Sequence, residues 1–412
     1  MRKLLMIAAC LAATTLFGCG GGGGSSAPAT SQSSSNQPAS PSTPTSATPA
    51  AVQNQQPVAV KEVYSNYANE LTTSVTICVP GTTNCQTIDN VLVDTGSYGL
   101  RLISSAVTLP LARTTAAVGG TLADCAVFDS GFSFGSVATA DIKLAGEVAS
   151  KAPIHLVGDT AVGTAPSSCS SQSPVPQSLQ TAVELGANGI LGVGTEPYDC
   201  GEACVSGAIA GAYYGCASTS CAPTTAPLND QVANPVSLFL QDNNGVAITL
   251  PAVTTAGQTS AAGTMTFGIG TQTDNALGNA HVYTLDADDD LVTVFNGTTL
   301  TGSFIDSGSN GLFFVDSSIA QCSDGSGFYC PTSTLSLSAV MQGINGNNTS
   351  IAFPVVNADT LTQSGMFAIN GYAANGTAGD FDWGLPFFYG RTVFTAIDGA
   401  TTPGGTGPYF AF

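Results

Sequence analysis

Positive charge is what this chain has least of: 412 residues carry 8 Lys and Arg against 27 Asp and Glu, a formal net charge of −19. That balance argues against binding nucleic acid, or an anionic membrane face, through a basic patch. Histidine is scarcer still. Only His155 and His281 occur, which leaves little material for a Ser-His-Asp triad, and there is no G-x-S-x-G elbow. Both histidines read as ordinary strand residues. Phosphate-binding loops, metal-binding helix motifs and basic-aromatic stripes are missing too, so neither a cofactor nor a metal is expected.

Long apolar runs are also lacking, and the one at the N-terminus, MRKLLMIAACLAATTLFGC, is too short to span a bilayer as a mature helix. With Arg2 and Lys3 ahead of it and small residues behind, it reads as an export signal. Its end, Leu16-Phe17-Gly18-Cys19, resembles a bacterial lipobox. The expectation is that residues 1–19 form a lipoprotein signal, that Cys19 is lipidated, and that the mature chain is exported to the cell envelope and held to a membrane by lipid. Residues 20–60 carry a Gly tract and then Ser, Pro, Thr and Ala with almost no charge, a composition that cannot bury enough surface to offset its ordering entropy. They read as a linker.

Ten of the 12 cysteines lie beyond Cys19, an even number in an oxidising compartment, so disulfides are the default. Spacing suggests the local pairs Cys78/Cys85, Cys200/Cys204, Cys216/Cys221 and Cys322/Cys330, with Cys125 and Cys169 left over. A zinc site built on CGEAC with Cys216 and Cys221 is the alternative, against which the compartment argues. The acidic run LDADDDL at 285–291 invites a calcium reading. An EF-hand register starting at Asp286, however, puts Leu291 where Gly is required, and the run reads instead as a solvated acidic turn.

After the linker come short Val, Ile, Leu, Thr and Phe runs punctuated by Gly, Asn, Asp and Pro, such as SVTICV, GFSFGS, DIKLAG, VAITLP and TMTFGIG. Their length and punctuation predict strands and turns. SLQTAVELG and NPVSLFLQD are the best helix candidates. The sequence as a whole predicts an all-β fold with a few short helices. SVTICVPGTTNCQTIDNVLVDTG predicts a hairpin turned at Pro80-Gly81, clipped by Cys78 and Cys85, whose second strand runs into Asp94.

The most specific signal is a loop written twice. VLVDTGSYGLRLI at 91–103 returns 212 residues later as SFIDSGSNGLFFV, sharing Asp-(Thr/Ser)-Gly-Ser, one free position, Gly-Leu and apolar flanks. A single Asp-Ser/Thr-Gly is commonly a tight turn, and a third copy at Asp129 lacks the continuation, so Asp129 is set aside as a carboxylate of interest. Two matched units suggest two similar lobes that bring Asp94 and Asp306 together. Carboxyls sharing a site cannot both ionise comfortably and hold one proton between them, so one can act as base on a water while the other acts as acid. Gly96 and Gly308 would let the backbones approach. Thr95 and Ser307 would brace the loops, and Ser97 and Ser309 would orient the carboxylates.

These residues make the chain resemble a pepsin-type aspartic protease. NGILGVG at 188–194 and DWGLPFFYGRTVFTAIDG at 382–399 resemble that family's segments threading behind each catalytic loop, and the paired loops also resemble those of uncharacterised bacterial lipoproteins grouped as a domain of unknown function. The resemblance implies a bilobal fold with an active cleft between an N-terminal lobe over 61–270 and a C-terminal lobe over 271–412. It implies an aspartic endopeptidase acting on peptide or protein substrate in extended conformation, without a cofactor. There are departures. The family's flap tyrosine falls near Phe134 and its hydrogen-bonding tryptophan at Arg101, so the usual flap bond cannot form, and Asp382-Trp383 stand where apolar residues are expected. Residues 20–70 carry only Lys61 as a cation, so no basic prosegment, and no zymogen control, is expected. The runner-up reading is a catalytically silent fold used as a binding or envelope-interaction module. A glycosidase with paired carboxylates ranks third, because nothing in that chemistry calls for matched loops.

Overall fold

The computed structural model describes residues 54–64, 67–217 and 220–412. The signal, Cys19 and most of the expected linker lie outside these residues. Linker character ends earlier than composition suggested: Gln55–Val60 is a strand with Val58 and Val60 buried and Pro57 exposed, paired to Ala261–Phe267. Its Val-Ala-Val alternation supplies one apolar face, which is enough once a partner strand is present.

The described chain is all-β, with four helices of four or five residues among its many short strands. The two helix candidates shrink accordingly. SLQTAVELG holds only Ala182–Leu185, started by a Thr181 capping box and stopped by Gly186 in the left-handed region, and NPVSLFLQD only a 3-10 turn over Pro235–Leu238.

A 16-stranded sheet and a seven-stranded sheet carry the two aspartate loops. The large sheet includes the strands Cys85–Asp94, Tyr98–Ile103 and Gly189–Val193, and it continues through Ala261–Phe267 and Gly245–Thr249 to Thr392–Ala396 and Tyr409–Ala411 near the C-terminus. The smaller sheet is ordered Asn348–Val355, Leu335–Gln342, Leu291–Phe295, Thr298–Ile305, Asp382–Trp383, Leu312–Phe313 and Ala373–Ala374. Its core is aromatic. Phe314 stacks on Phe381 at 4.9 Å and Phe381 on Trp383 at 4.2 Å, with Phe353 edge-on to Trp383. Trp383, fully buried, donates its indole N–H to Thr293 Oγ1 at 3.0 Å, which satisfies the one polar atom it brings into that core.

All five expected or leftover cysteine pairs are disulfides: Cys78–Cys85, Cys125–Cys169, Cys200–Cys204, Cys216–Cys221 and Cys322–Cys330. The zinc alternative fails here, because disulfide sulfurs are not thiolate ligands. Cys78 and Cys85 stand directly opposite each other in the predicted hairpin, with Gly81 at φ 72° in its turn.

Candidate active site

Asp94 ends a strand and Asp306 directly follows one, and the neighbours of these two strands repeat rung for rung. In the first copy Gly189–Val193 runs parallel to Cys85–Asp94, pairing Leu92 with Ile190 and Asp94 with Gly192, and antiparallel to Tyr98–Ile103, pairing Arg101 with Ile190. In the second copy Asp382–Trp383 runs parallel to Thr298–Ile305, pairing Phe304 with Asp382, and antiparallel to Leu312–Phe313, pairing Phe313 with Asp382. A short strand thus threads behind each loop, as the segments at 188–194 and 382–399 led one to expect. Glycine is obligatory at the crossings: a Cβ on Gly192 would lie 2.5 Å from Tyr98 N, and one on Gly384 would lie 2.0 Å from Gly311 O.

The loops grip one another reciprocally. Thr95 N donates to Ser307 Oγ at 3.1 Å and Ser307 N donates to Thr95 Oγ1 at 2.9 Å. Ser307 Oγ donates onward to Val93 O at 2.8 Å, and Thr95 Oγ1 to Ile305 O at 3.3 Å. Within each loop the pattern is the same twice. Gly96 N and Ser97 Oγ donate to the two oxygens of Asp94 at 2.8 and 2.5 Å, and Gly308 N and Ser309 Oγ donate to those of Asp306 at 2.7 and 2.9 Å. The bracing and orienting expected of these hydroxyls is therefore their geometry. The Asp306 carboxyl lies against the first loop so closely that a Cβ on Gly96 would stand 2.6 Å from its Cγ.

Both aspartates are buried. Burial, then the charge of Asp306 and a hydrogen bond shared with it, hold Asp94 well above the ordinary carboxylate range, against the opposing bonds from Ser97 and Gly96. Such a pair binds one proton and keeps it into less acidic solution than an isolated carboxyl does. A cavity of about 650 Å³ opens beside the pair, lined by Gly96, Ser97 and Tyr98, by Ala126, Val127 and Phe128 of the neighbouring hairpin, and by several acidic side chains.

Three expected roles need correction. Phe134 does not reach this cavity: it is 1% exposed and packs edge-on to Tyr214 with ring centroids 5.9 Å apart, in a cluster with the Cys125–Cys169 disulfide. The hairpin of Thr121–Phe128 and Gly131–Leu144 that carries it turns instead at Asp129, the residue set aside earlier. Burial, then the charges of Asp306 and Asp380, push Asp129 up to about 7. The period-two pattern of GFSFGS could not show which face meets the dyad, because both faces of that strand are buried.

His155 is likewise more than an ordinary strand residue. Arg101, lining the cavity but only 4% exposed, ion-pairs with Asp124 and with Asp199 at 3.0 Å, and its NH1 lies 3.0 Å from His155 Nδ1. His155 Nδ1 in turn stands 3.1 Å from Asp124. Burial opposes the Arg101 charge, yet the carboxylates of Asp124 and Asp199 outweigh it and hold the guanidinium above its usual value. Burial also drives His155 downward and Asp199 up to about 7. So the position that the resemblance gives to an aromatic flap partner holds an internal ion network. It ties the strand of Arg101 to the hairpin strand of Asp124, a pairing no local pattern signals because its members lie up to 98 residues apart.

The acidic run is the third case. Asp286 caps its own turn, accepting from the backbone of Asp288 and Asp290 at 2.9 Å. Asp289 is not simply solvated: it accepts from Thr195 Oγ1 at 2.9 Å across 94 residues of sequence, and Asp288 and Asp289 line the cavity. His281 is exposed and makes backbone bonds to Phe412, as an ordinary strand-edge residue does. Among the described residues, the cluster geometrically fit for a metal ion is Cys322, Cys330 and Asp359, whose cysteines are bonded to each other.

Comparison with known proteins adds a family and a similarity. No curated protein matches the sequence. Among solved structures, the aspartic proteinase of Irpex lacteus is similar over 87% of this chain and 96% of its own, at 17% identity and a TM-score of 0.46. A family model described as "Protein of unknown function (DUF3443)" matches residues 50–412, and the chain belongs to that family.

Proposed function

We propose that this protein is an exported, lipid-anchored aspartic endopeptidase. The observation that carries the reading is the reciprocal lock between the two loops, which sets two buried carboxyls from positions 94 and 306 against each other with matched donors on every oxygen. An extended peptide lies in the cavity beside Gly96 and Ser97. The protonated member of the pair donates to the scissile carbonyl oxygen while the ionised member takes a proton from an attacking water, giving a tetrahedral diol. The pair then passes one proton to the amide nitrogen while a diol hydroxyl gives its proton to the ionised carboxylate, so the C–N bond breaks, the acid and amine products leave and the shared proton is restored. No covalent intermediate forms. Asp94, held high by burial and then by the charge of Asp306, is suited to the proton-carrying role. Export and the anchor at Cys19 rest on residues 1–19 alone.

A second reading, a silent fold used as a binding module, is favoured by the fixed Arg101 network and the buried Phe134, which remove the flap contact of the resembling proteases. One experiment separates the two. The full chain in detergent is incubated with an unfolded protein from about pH 3 to 7, beside Asp94→Asn and Asp306→Asn. Cleavage that falls by about a thousandfold or more in both variants, and is blocked by a statine-type peptide, supports the endopeptidase. A folded, disulfide-bonded wild type that cleaves nothing at any pH overturns it.

A further inference from the structure

The aspartate loops are fixed at more points than the lock between them. In each copy the last serine of the Asp-(Thr/Ser)-Gly-Ser motif donates its hydroxyl to the aspartate, and its carbonyl accepts from the chain just past the threading strand. Gly194 N donates to Ser97 O at 3.0 Å, and Leu385 N to Ser309 O at 2.7 Å. The next carbonyl along is held in each copy by a buried side chain, and there the copies differ. In the first, Arg101 donates Nη2 to Tyr98 O at 3.4 Å from within the same repeat. In the second, the position matching Arg101 is Phe313, which has no donor to offer. The donor comes instead from far outside the repeat: Asn69 Nδ2 bonds Asn310 O at 2.8 Å, across 241 residues of sequence.

Asn69 is 1% exposed and uses every polar atom of its side chain. Its Nδ2 also donates to Ile369 O at 2.9 Å, and its Oδ1 accepts from Ile369 N at 2.8 Å and from Tyr389 Oη at 2.7 Å. Its φ of 61° lies in the left-handed region, which asparagine enters more readily than most side chains. Ala68 beside it packs with Phe313, Phe328 and Tyr372, so this short segment is seated among residues of the second repeat and its surroundings. Two residues on begins the strand Leu71–Cys78, which pairs Thr72 with Leu92 on the strand that ends in Asp94. Asn69 therefore joins the exit of the second loop to the neighbour of the first aspartate's strand.

We propose that Asn69 is a positioning residue of the aspartate pair: by holding the Asn310 carbonyl it fixes the exit of the second loop and keeps the Ser309 hydroxyl aimed at Asp306. It does for the second loop what Arg101 does for the first. Its effect on rate rests on the endopeptidase reading, but its effect on the carboxyls does not.

The test asks whether Asn69 acts through Ser309. The full chain in detergent is compared as wild type, Asn69→Gly, Ser309→Ala and the double variant. Glycine keeps the left-handed backbone and removes only the side chain. On a peptide that the wild type cleaves, Asn69→Gly should lower kcat by about tenfold with KM changed by no more than about twofold, and Ser309→Ala should lower kcat at least as far. The double variant should be no slower than Ser309→Ala, because a hydroxyl that is absent cannot be misaimed. Losses that multiply independently, as a merely structural residue would give, overturn the proposal. The same cycle is read without turnover by NMR titration of ¹³C-labelled aspartate carboxyls, assigned through Asp94→Asn and Asp306→Asn. Losing a hydroxyl that donates to the ionised form raises a carboxyl's titration, so Ser309→Ala should raise the lower titration of the pair by about one unit, Asn69→Gly by part of that, and the double variant by no more than Ser309→Ala. A lower titration unchanged in Asn69→Gly overturns the proposal whatever the activity. These shifts in a protein that cleaves nothing would uphold the positioning and reject the endopeptidase. Should the Gly variant not fold, Asn69→Ser, too short to reach Asn310 O, takes its place with the same expected outcomes.

Discussion

Glu70 offers a quantitative test of how this molecule is tuned to pH. Its side chain is 6% exposed, and among the described residues neither carboxyl oxygen has a hydrogen-bond partner; a Cβ on Gly186 would stand 2.6 Å from Oε1. Burial alone pushes its pKa from 4.5 up to about 8. The folded state therefore keeps a proton that the unfolded chain releases near 4.5. Stability from this group is fully present below pH 4.5 and is lost as pH rises towards 8. A difference of that size corresponds to about 4–5 kcal/mol across the window, an upper figure because local relaxation and water entry shrink it. Glu70→Gln keeps the shape and cannot ionise. The expected result is a variant close to wild type at pH 4.5 but more stable at pH 8.5, by about 2–4 kcal/mol, seen as a higher urea midpoint with disulfides intact. Comparing the two proteins at each pH cancels the contribution of the dyad. Midpoints that differ by the same amount at both pH values would refute the argument, since only a buried, titrating Glu70 predicts a widening gap. The neighbouring Asn69 makes the position consequential: it donates to Asn310 O at 2.8 Å and accepts from Tyr389 Oη at 2.7 Å, tying this segment to the second loop.

Two further outcomes follow from the geometry. Gly96→Ala puts a methyl within 2.6–2.8 Å of the Asp306 carboxyl, so the dyad must separate; peptide hydrolysis should fall by about a hundredfold or more while thermal unfolding moves far less. Removing the Cys125–Cys169 bridge by double Ala substitution opens a closure of 44 residues in sequence, worth about 4 kcal/mol on chain-entropy grounds, and should lower the unfolding free energy extracted from denaturant titration by that amount. A loss below about 1 kcal/mol would mean that the hairpin packing around Phe134 and Tyr214 holds the segment without the bridge.

What the sequence determined by itself is local or repeated. Alternating apolar residues with Gly, Asn and Pro between them dictated an all-β chain, because strand faces and turn conformations are decided over two to five residues. The paired Asp-Thr/Ser-Gly-Ser loops were legible because a repeat over a dozen positions does not arise from composition, and four disulfides were legible because their partners lie within eight residues. The rest was decided by the tertiary structure. Arg101, Asp124, His155 and Asp199 come from four separate segments, so nothing in any one of them announces a buried ion network. Asp129 looked like a spare turn motif until the hairpin carried it to the dyad, and Phe134 looked like a cleft residue until both faces of its strand proved buried. The upward shift of Asp94 is of the same kind: it depends on burial and on a carboxyl 212 residues away, quantities that exist only once the two loops have closed on each other.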